Sequence, residues 1–218
     1  RITRDEHVWM DRFTIRNLEL TGMHEGHSLL KTLDRTSSPM GARLLKRWML
    51  MPLNNLTAIQ ERLNTVEYLV KSTDLSQQLI QCIKASGDVE RLAAKVPLKK
   101  INPRELLQVA RGLEQAAIIQ TVCAQSEDPY LHRLGAAINP CDYIREKIQQ
   151  TIAENPPSAT QKGGVIARGI HAELDELRDI ASGGKQYLTT LQQKEAQATG
   201  ISSLKIGFNN VFGYYLEV

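Results

Sequence analysis

Aromatic residues supply only 5% of the 218 positions, and no apolar run approaches the length that a bilayer-spanning helix needs. No secretory leader opens the chain, so a membrane or exported class is not suggested. The three cysteines, Cys82, Cys123 and Cys141, are widely spaced and odd in number, and no C-x-x-C pair occurs. That pattern suggests neither a zinc ribbon nor a disulfide framework, and it fits buried free thiols in a cytosolic protein. Charge of neither sign dominates. A formal net charge of +3 permits a nucleic-acid partner without demonstrating one. No internal repeat, low-complexity tract or sizeable charge block occurs.

What remains is rich in Leu, Ile, Ala, Gln, Glu, Lys and Arg. These straight-chain residues lose little rotamer freedom in a helix, so the composition favours a mainly α fold. The length allows one large core or two modest ones. Residues 13–20 alternate apolar and polar and read as a short strand or extended lead-in. Ser28 is placed to cap a short helix through about Leu33. Ser38 caps the next one, with Pro39 at its first position, where the missing N–H costs nothing. Met40, Leu44, Leu45 and Trp48 follow at helical spacing until Pro52 stops the run.

Thr57 to Gln60 reads as a capping box opening a helix that buries Ile59, Leu63, Val66, Leu69 and Val70. Asp74 and Asp88 read as caps of two further helices. Asn102-Pro103-Arg104-Glu105 starts a long helix to about Ala124. Asp128-Pro129 opens another helix and Asp142 the next. Residues 154–169, with Asn-Pro-Pro-Ser and Gly163-Gly164, form an exposed connection with room for a small hairpin. A helix from about Ala172 to Thr199 follows, and Gly183-Gly184 in its middle marks a kink or a close backbone approach. After Gly200 the apolar period changes from helical to alternating, around Asn209-Asn210. A β-hairpin with a two-residue turn is expected there, beginning a second, smaller domain.

Several stretches imitate chemistry. Gly183-Gly184-Lys185 is followed by Gln186, and Asp179 stands where a P-loop needs its first glycine, so no phosphate loop is read there. His24-Glu25-Gly26-His27 lacks a third metal ligand of sensible spacing. Glu173, Asp175, Glu176 and Asp179 form an acidic first turn complementing a helix dipole rather than a catalytic pair. Arg43, Lys46 and Arg47 are the densest basic patch, read as a solvated face paired with acids such as Asp34. Near the hairpin only Lys194 and Lys205 are basic, and Lys205 is the one candidate DNA-contacting residue. No catalytic, cofactor-binding or metal-binding residue is assigned.

The run Leu33-Asp34-Arg35-Thr36-Ser37-Ser38-Pro39-Met40-Gly41-Ala42-Arg43-Leu44-Leu45-Lys46-Arg47-Trp48 onward to Leu53 resembles the core-domain signature of the MutS family of DNA mismatch-repair proteins. Arg16-Asn17-Leu18-Glu19-Leu20, Asp88-Val89-Glu90-Arg91-Leu92 and Asn102-Pro103-Arg104-Glu105-Leu106 are similar to further blocks of that family. So are Gly164-Val165-Ile166 with Glu173 to Arg178, and Ser203 to Val218. The resemblance implies a core of residues 1–171, a lever helix of residues 172–200 and the first hairpin of a clamp domain, residues 201–218. It implies a segment of a larger protein, as does a start at Arg1 and an end in a strand-like run. In such a protein the segment is a scaffold, not an enzyme, between a clamp over mismatched double-stranded DNA and an ATPase domain. ATP and Mg²⁺ would bind in that other domain. A homodimer, a MutL-type partner and a cytoplasmic location are also implied. The alternatives are a paralogue acting in recombination control or ribosome rescue, and a stand-alone helical interaction scaffold.

Overall fold

The longest helix of the N-terminal part, Pro103–Ala124, is the one on which the helices just before and after it are laid. In the computed structural model, which describes residues 6–22 and 27–218, the helices run in chain order. They are α1 (Arg12–Asn17), α2 (Leu29–Leu33), α3 (Pro39–Leu50), α4 (Leu56–Lys71), α5 (Thr73–Ser86), α6 (Val89–Ala93), α7 (Pro103–Ala124), α8 (Pro129–Ala137), α9 (Asp142–Thr151) and α10 (Ala172–Thr199). Two strands, β1 (Lys205–Asn209) and β2 (Gly213–Glu217), close the chain. The mainly α class with a small terminal hairpin is the architecture observed. By compactness the chain divides into two units, residues 1–166 and residues 167–218.

In the first unit α7 packs against α5, α6, α8 and α9. The core joins Leu79 of α5 to Val122 and Cys123 of α7 and Leu131 of α8, with Tyr68, Leu69, Leu75 and Ile119 partly buried around them. Burial of the Cys123 thiol raises its pKa. Several helix starts follow from single side chains. Ser28 Oγ accepts from Lys31 N–H at 3.2 Å and Ser38 Oγ accepts from Gly41 N–H at 3.1 Å. Asn102 and Glu105 form a reciprocal capping box at the start of α7. Asp128 does double duty. Its Oδ1 accepts from Leu131 N–H at 2.8 Å, capping α8, and from Thr65 Oγ1 at 2.9 Å, tying α8 to α4.

Several expectations are corrected. Residues 12–17 are helix, not strand, and Asp11 caps their first turn by accepting from Thr14 N–H at 2.7 Å. Extended pairing lies further upstream, where Val8 N–H donates to the Pro52 carbonyl and Asn54 N–H to that of Glu6. The cap of α4 is Asn55, which accepts from Ala58 N–H at 3.0 Å, not Thr57. Leu63, Val66 and Val70 of that helix are exposed, not buried. Helix α5 begins at Thr73 after Ser72, placing Asp74 inside its first turn, where a carboxylate suits the helix dipole. Residues 154–169 hold a short 3₁₀ turn, Thr160–Lys162, and a single bridge between Ile152 and Ile166 rather than a hairpin.

The second unit is α10 with β1 and β2. Helix α10 is continuous through Gly183 and Gly184, and nothing lies within 4 Å of where a Cβ would sit on either, so no close backbone approach explains them. Gly200, at φ 71°, ends the helix in the left-handed region that glycine enters without a Cβ penalty. The strands pair antiparallel, Lys205 opposite Glu217 and Asn209 opposite Gly213. The loop is therefore three residues, Asn210 to Phe212, not a two-residue Asn-Asn turn. Asn209 Oδ1 accepts from Val211 N–H at 3.0 Å and Phe212 N–H at 2.7 Å, and Gly213 takes the positive φ, 76°. A left-handed glycine after a tight turn is how three-residue hairpin loops close.

Candidate functional site

Both ends of α10 are fastened within its own unit, and this is the arrangement with the clearest functional geometry. At the base, His171 caps the helix through Nδ1, which accepts from Leu174 N–H at 3.4 Å. Asp175 accepts from Gly169 N–H at 2.6 Å and from Arg178 at 2.9 Å. The Gly169 amide, followed by the Arg178 guanidinium, holds the Asp175 carboxyl below the usual carboxylate range. Arg168 pairs with Asp179 at 2.9 Å. The acidic turn thus clamps the incoming segment 168–169 onto the helix, which goes beyond favouring its dipole. No sequence motif marked Arg168 or Gly169 as its partners, because the pairing depends on the reversal of the chain before the helix.

At the tip, Gln192 Oε1 accepts from Ile206 N–H at 3.4 Å, joining α10 to β1. Leu204, immediately before β1, is 6% exposed. Within the hairpin the Phe208 and Tyr214 rings meet across the strands in a tilted contact, centroids 5.0 Å apart and planes at 57°. The Tyr215 ring lies over its cross-strand neighbour Gly207, where a Cβ would meet Cζ at 2.6 Å. Lys205, the candidate DNA contact, is exposed at the first position of β1 and directly opposite Glu217. A carboxylate so placed weakens the local attraction for phosphate. Lys194 is exposed on α10.

The other sequence candidates dissolve into structure. Arg43 reaches across 45 and 47 residues, donating through Nη2 to Asp88 and to Glu90, both at 2.6 Å. These carboxylates raise the Arg43 pKa, and Asp88 is lowered in turn. The expected pairing with Asp34 is not made. Its Oδ1 instead accepts from Thr36 N–H and Oγ1, at 2.9 and 2.7 Å. Arg62 lies 3.9 Å over the Trp48 ring. Lys46 and Arg47 stay exposed. Gly183 and Gly184 lie in helix interior, the wrong backbone for cradling a phosphate. Most of the His24-Glu25-Gly26-His27 stretch lies outside the described residues. Among the described residues no group of three or more His, Cys, Asp or Glu is placed to hold a metal. Among the same residues no helix is long and apolar enough to cross a membrane.

The chain is thus mainly helical with a hairpin at the end of a long helix, and several of the charged groups named above are engaged in caps and ion pairs. Residues 13–203 match the family described as MutS domain III, and the chain belongs to that family. It is similar along its whole length to proteins named DNA mismatch repair protein MutS. One from Cytophaga hutchinsonii is 51% identical over 220 residues, covering 100% of this chain and 26% of the relative. One from Phocaeicola vulgatus is 48% identical, with 25% of its length covered. One from Bacteroides fragilis is 47% identical, with 26% covered. The chain therefore spans about a quarter of the length of these relatives.

Proposed function

We propose that the chain is the coupling scaffold of a larger cytoplasmic DNA mismatch-repair protein, and that it is not itself an enzyme. The observation that carries this reading is α10, 28 continuous residues fastened at its base to segment 168–169 and bearing a hairpin at its tip. At 1.5 Å per residue it spans about 42 Å, so a small rotation at the base becomes a large displacement at the hairpin. In the larger protein, residues 1–171 act as the core, residues 172–200 as the lever, and residues 201–218 begin a clamp over mismatched double-stranded DNA. In the same reading the ATP and Mg²⁺ that drive the lever bind in an ATPase domain of the larger protein, outside this segment. A homodimer and a MutL-type partner belong to the same reading. That the relatives are named mismatch-repair proteins favours this reading over a paralogue in recombination control or ribosome rescue.

Fluorophores near Ala172 and Lys205 of the full-length protein test the lever. On adding ATP, the distance between them should stay nearly constant while the distance from Lys205 to the ATPase domain changes. A change between Ala172 and Lys205 as large as that between lever and ATPase would mean that the helix bends, and would sink the proposal.

A further inference from the structure

A cavity of about 390 Å³ opens beside the first two turns of α7. Arg104, Gln108 and Arg111 line it from the helix, and Glu154, Asn155 and Pro156 from the segment after α9. The helical residues are four and three apart, so they share one face. Arg104 Nε donates to the Pro156 carbonyl at 2.8 Å, and Pro156 is fully buried. One guanidinium edge is thereby anchored to a fixed wall while its other N–H donors remain unused. Among the described residues, neither Arg104 nor Arg111 is paired with a carboxylate, although Glu154 lines the same cavity. Elsewhere in this unit Arg43, Arg91, Arg133 and Arg145 all have acidic partners.

We propose that this cavity is a binding site for a phosphate-bearing anion of nucleotide size. Two guanidinium groups converging on one space, against a single carboxylate, leave a net positive charge with planar donor edges that match phosphate oxygens. The volume falls in the range of small-molecule sites, ~300–1,000 Å³. A lone phosphate ion would leave most of it unfilled. The Gln108 and Asn155 amides and the Glu154 carboxylate supply donors and acceptors for the uncharged remainder of the ligand. A free nucleotide and the terminal phosphate of a nucleic-acid strand present the same chemistry. None of its lining residues belongs to α10, so the proposal stands or falls independently of the coupling role.

The test is isothermal titration calorimetry of the 218-residue chain at matched ionic strength. The probes are ATP without Mg²⁺, inorganic phosphate, and a short duplex with or without a terminal phosphate. Saturable sub-millimolar binding of ATP, or of the phosphorylated duplex alone, is expected, and which of the two binds identifies the source. Arg111→Glu should weaken binding by about tenfold or more, the scale of one lost charge-assisted hydrogen bond. Arg111→Lys should lose less, and Glu154→Gln should bind more tightly. Arg111 is exposed in mid-helix, so its variants should retain the helical circular dichroism that certifies the fold. Absence of saturable binding by every phosphate probe would overturn the proposal, as would an affinity unchanged in Arg111→Glu.

Discussion

A methyl group on Gly112 would lie 2.2 Å from Val89 Cγ2 and 2.8 Å from the Ser86 carbonyl oxygen. The side chain of Val89 can turn, but the backbone at Ser86 cannot yield without moving the end of α5 away from α7. Gly112→Ala should therefore destabilise the chain by ~1–3 kcal/mol, the range for overpacking a tight contact. Gly183 and Gly184 are the opposite case, helix-interior glycines facing open space. Alanine at each should stabilise α10 by roughly 0.5–1 kcal/mol, because only backbone entropy is at stake. Urea unfolding of the three variants separates the cases, and equal effects at Gly112 and Gly183 would refute the argument. All three glycines look alike in the sequence. Their difference lies in which helix passes beside them, and no local pattern encodes that. Ser38-Pro39 was legible because a cap is satisfied within three residues. The partners of Arg43 were not, since Asp88 and Glu90 lie 45 and 47 residues away.

Carboxylates hold several elements together, and they make stability depend on pH in a definite direction. The Arg43 hydrogen bond lowers Asp88, the Lys95 hydrogen bond lowers Glu105, and the Gly169 amide lowers Asp175. A group whose folded-state pKa is depressed contributes stability that is fully present above its unfolded value, about 4 for a carboxylate. That stability is lost as pH falls through the folded value. The urea midpoint of the chain should thus be nearly flat down to about pH 5 and fall steeply below pH 4. Asp88→Asn is the discriminating variant. Asparagine can still accept from Arg91 N–H as the cap of α6, but it cannot titrate. Its acid limb should be shallower than that of the unaltered chain, and superimposable limbs would rule Asp88 out as a contributor. Elements whose caps and apolar spacing agreed, such as α3, α7 and α8, could be read from the sequence. Residues 12–17 could not, because Phe-Thr-Ile suits a strand, whereas the bond that Asp11 accepts from Thr14 N–H caps a helix there. The hairpin was legible, but its loop length was not. Gly213, rather than either asparagine, takes the positive φ.

The stripe of α4 shows what periodicity can and cannot say about a whole molecule. Leu63, Val66 and Val70 lie at helical spacing, which marks an apolar face, yet that face is exposed here. Spacing identifies the face without identifying what covers it. The same reasoning limits what the hairpin can do alone. Val211 and Phe212 at its tip are 82% and 81% exposed, so the loop presents apolar side chains where a phosphate clamp would need cations. Lys205 is paired with Glu217 across the ladder, and the next basic residue upstream in the sequence is Lys194, exposed on α10. Non-specific DNA affinity scales with the number of phosphates neutralised, each adding about one unit to the slope of log K against log salt. With so few cations on this surface, the chain alone should bind a blunt duplex lacking terminal phosphates more weakly than micromolar at physiological salt. Fluorescence anisotropy measures this directly. Micromolar binding that weakens steeply with salt and disappears in Lys205→Glu would show that one hairpin suffices as a clamp, and would assign Lys205 the contact that its position opposite Glu217 argues against.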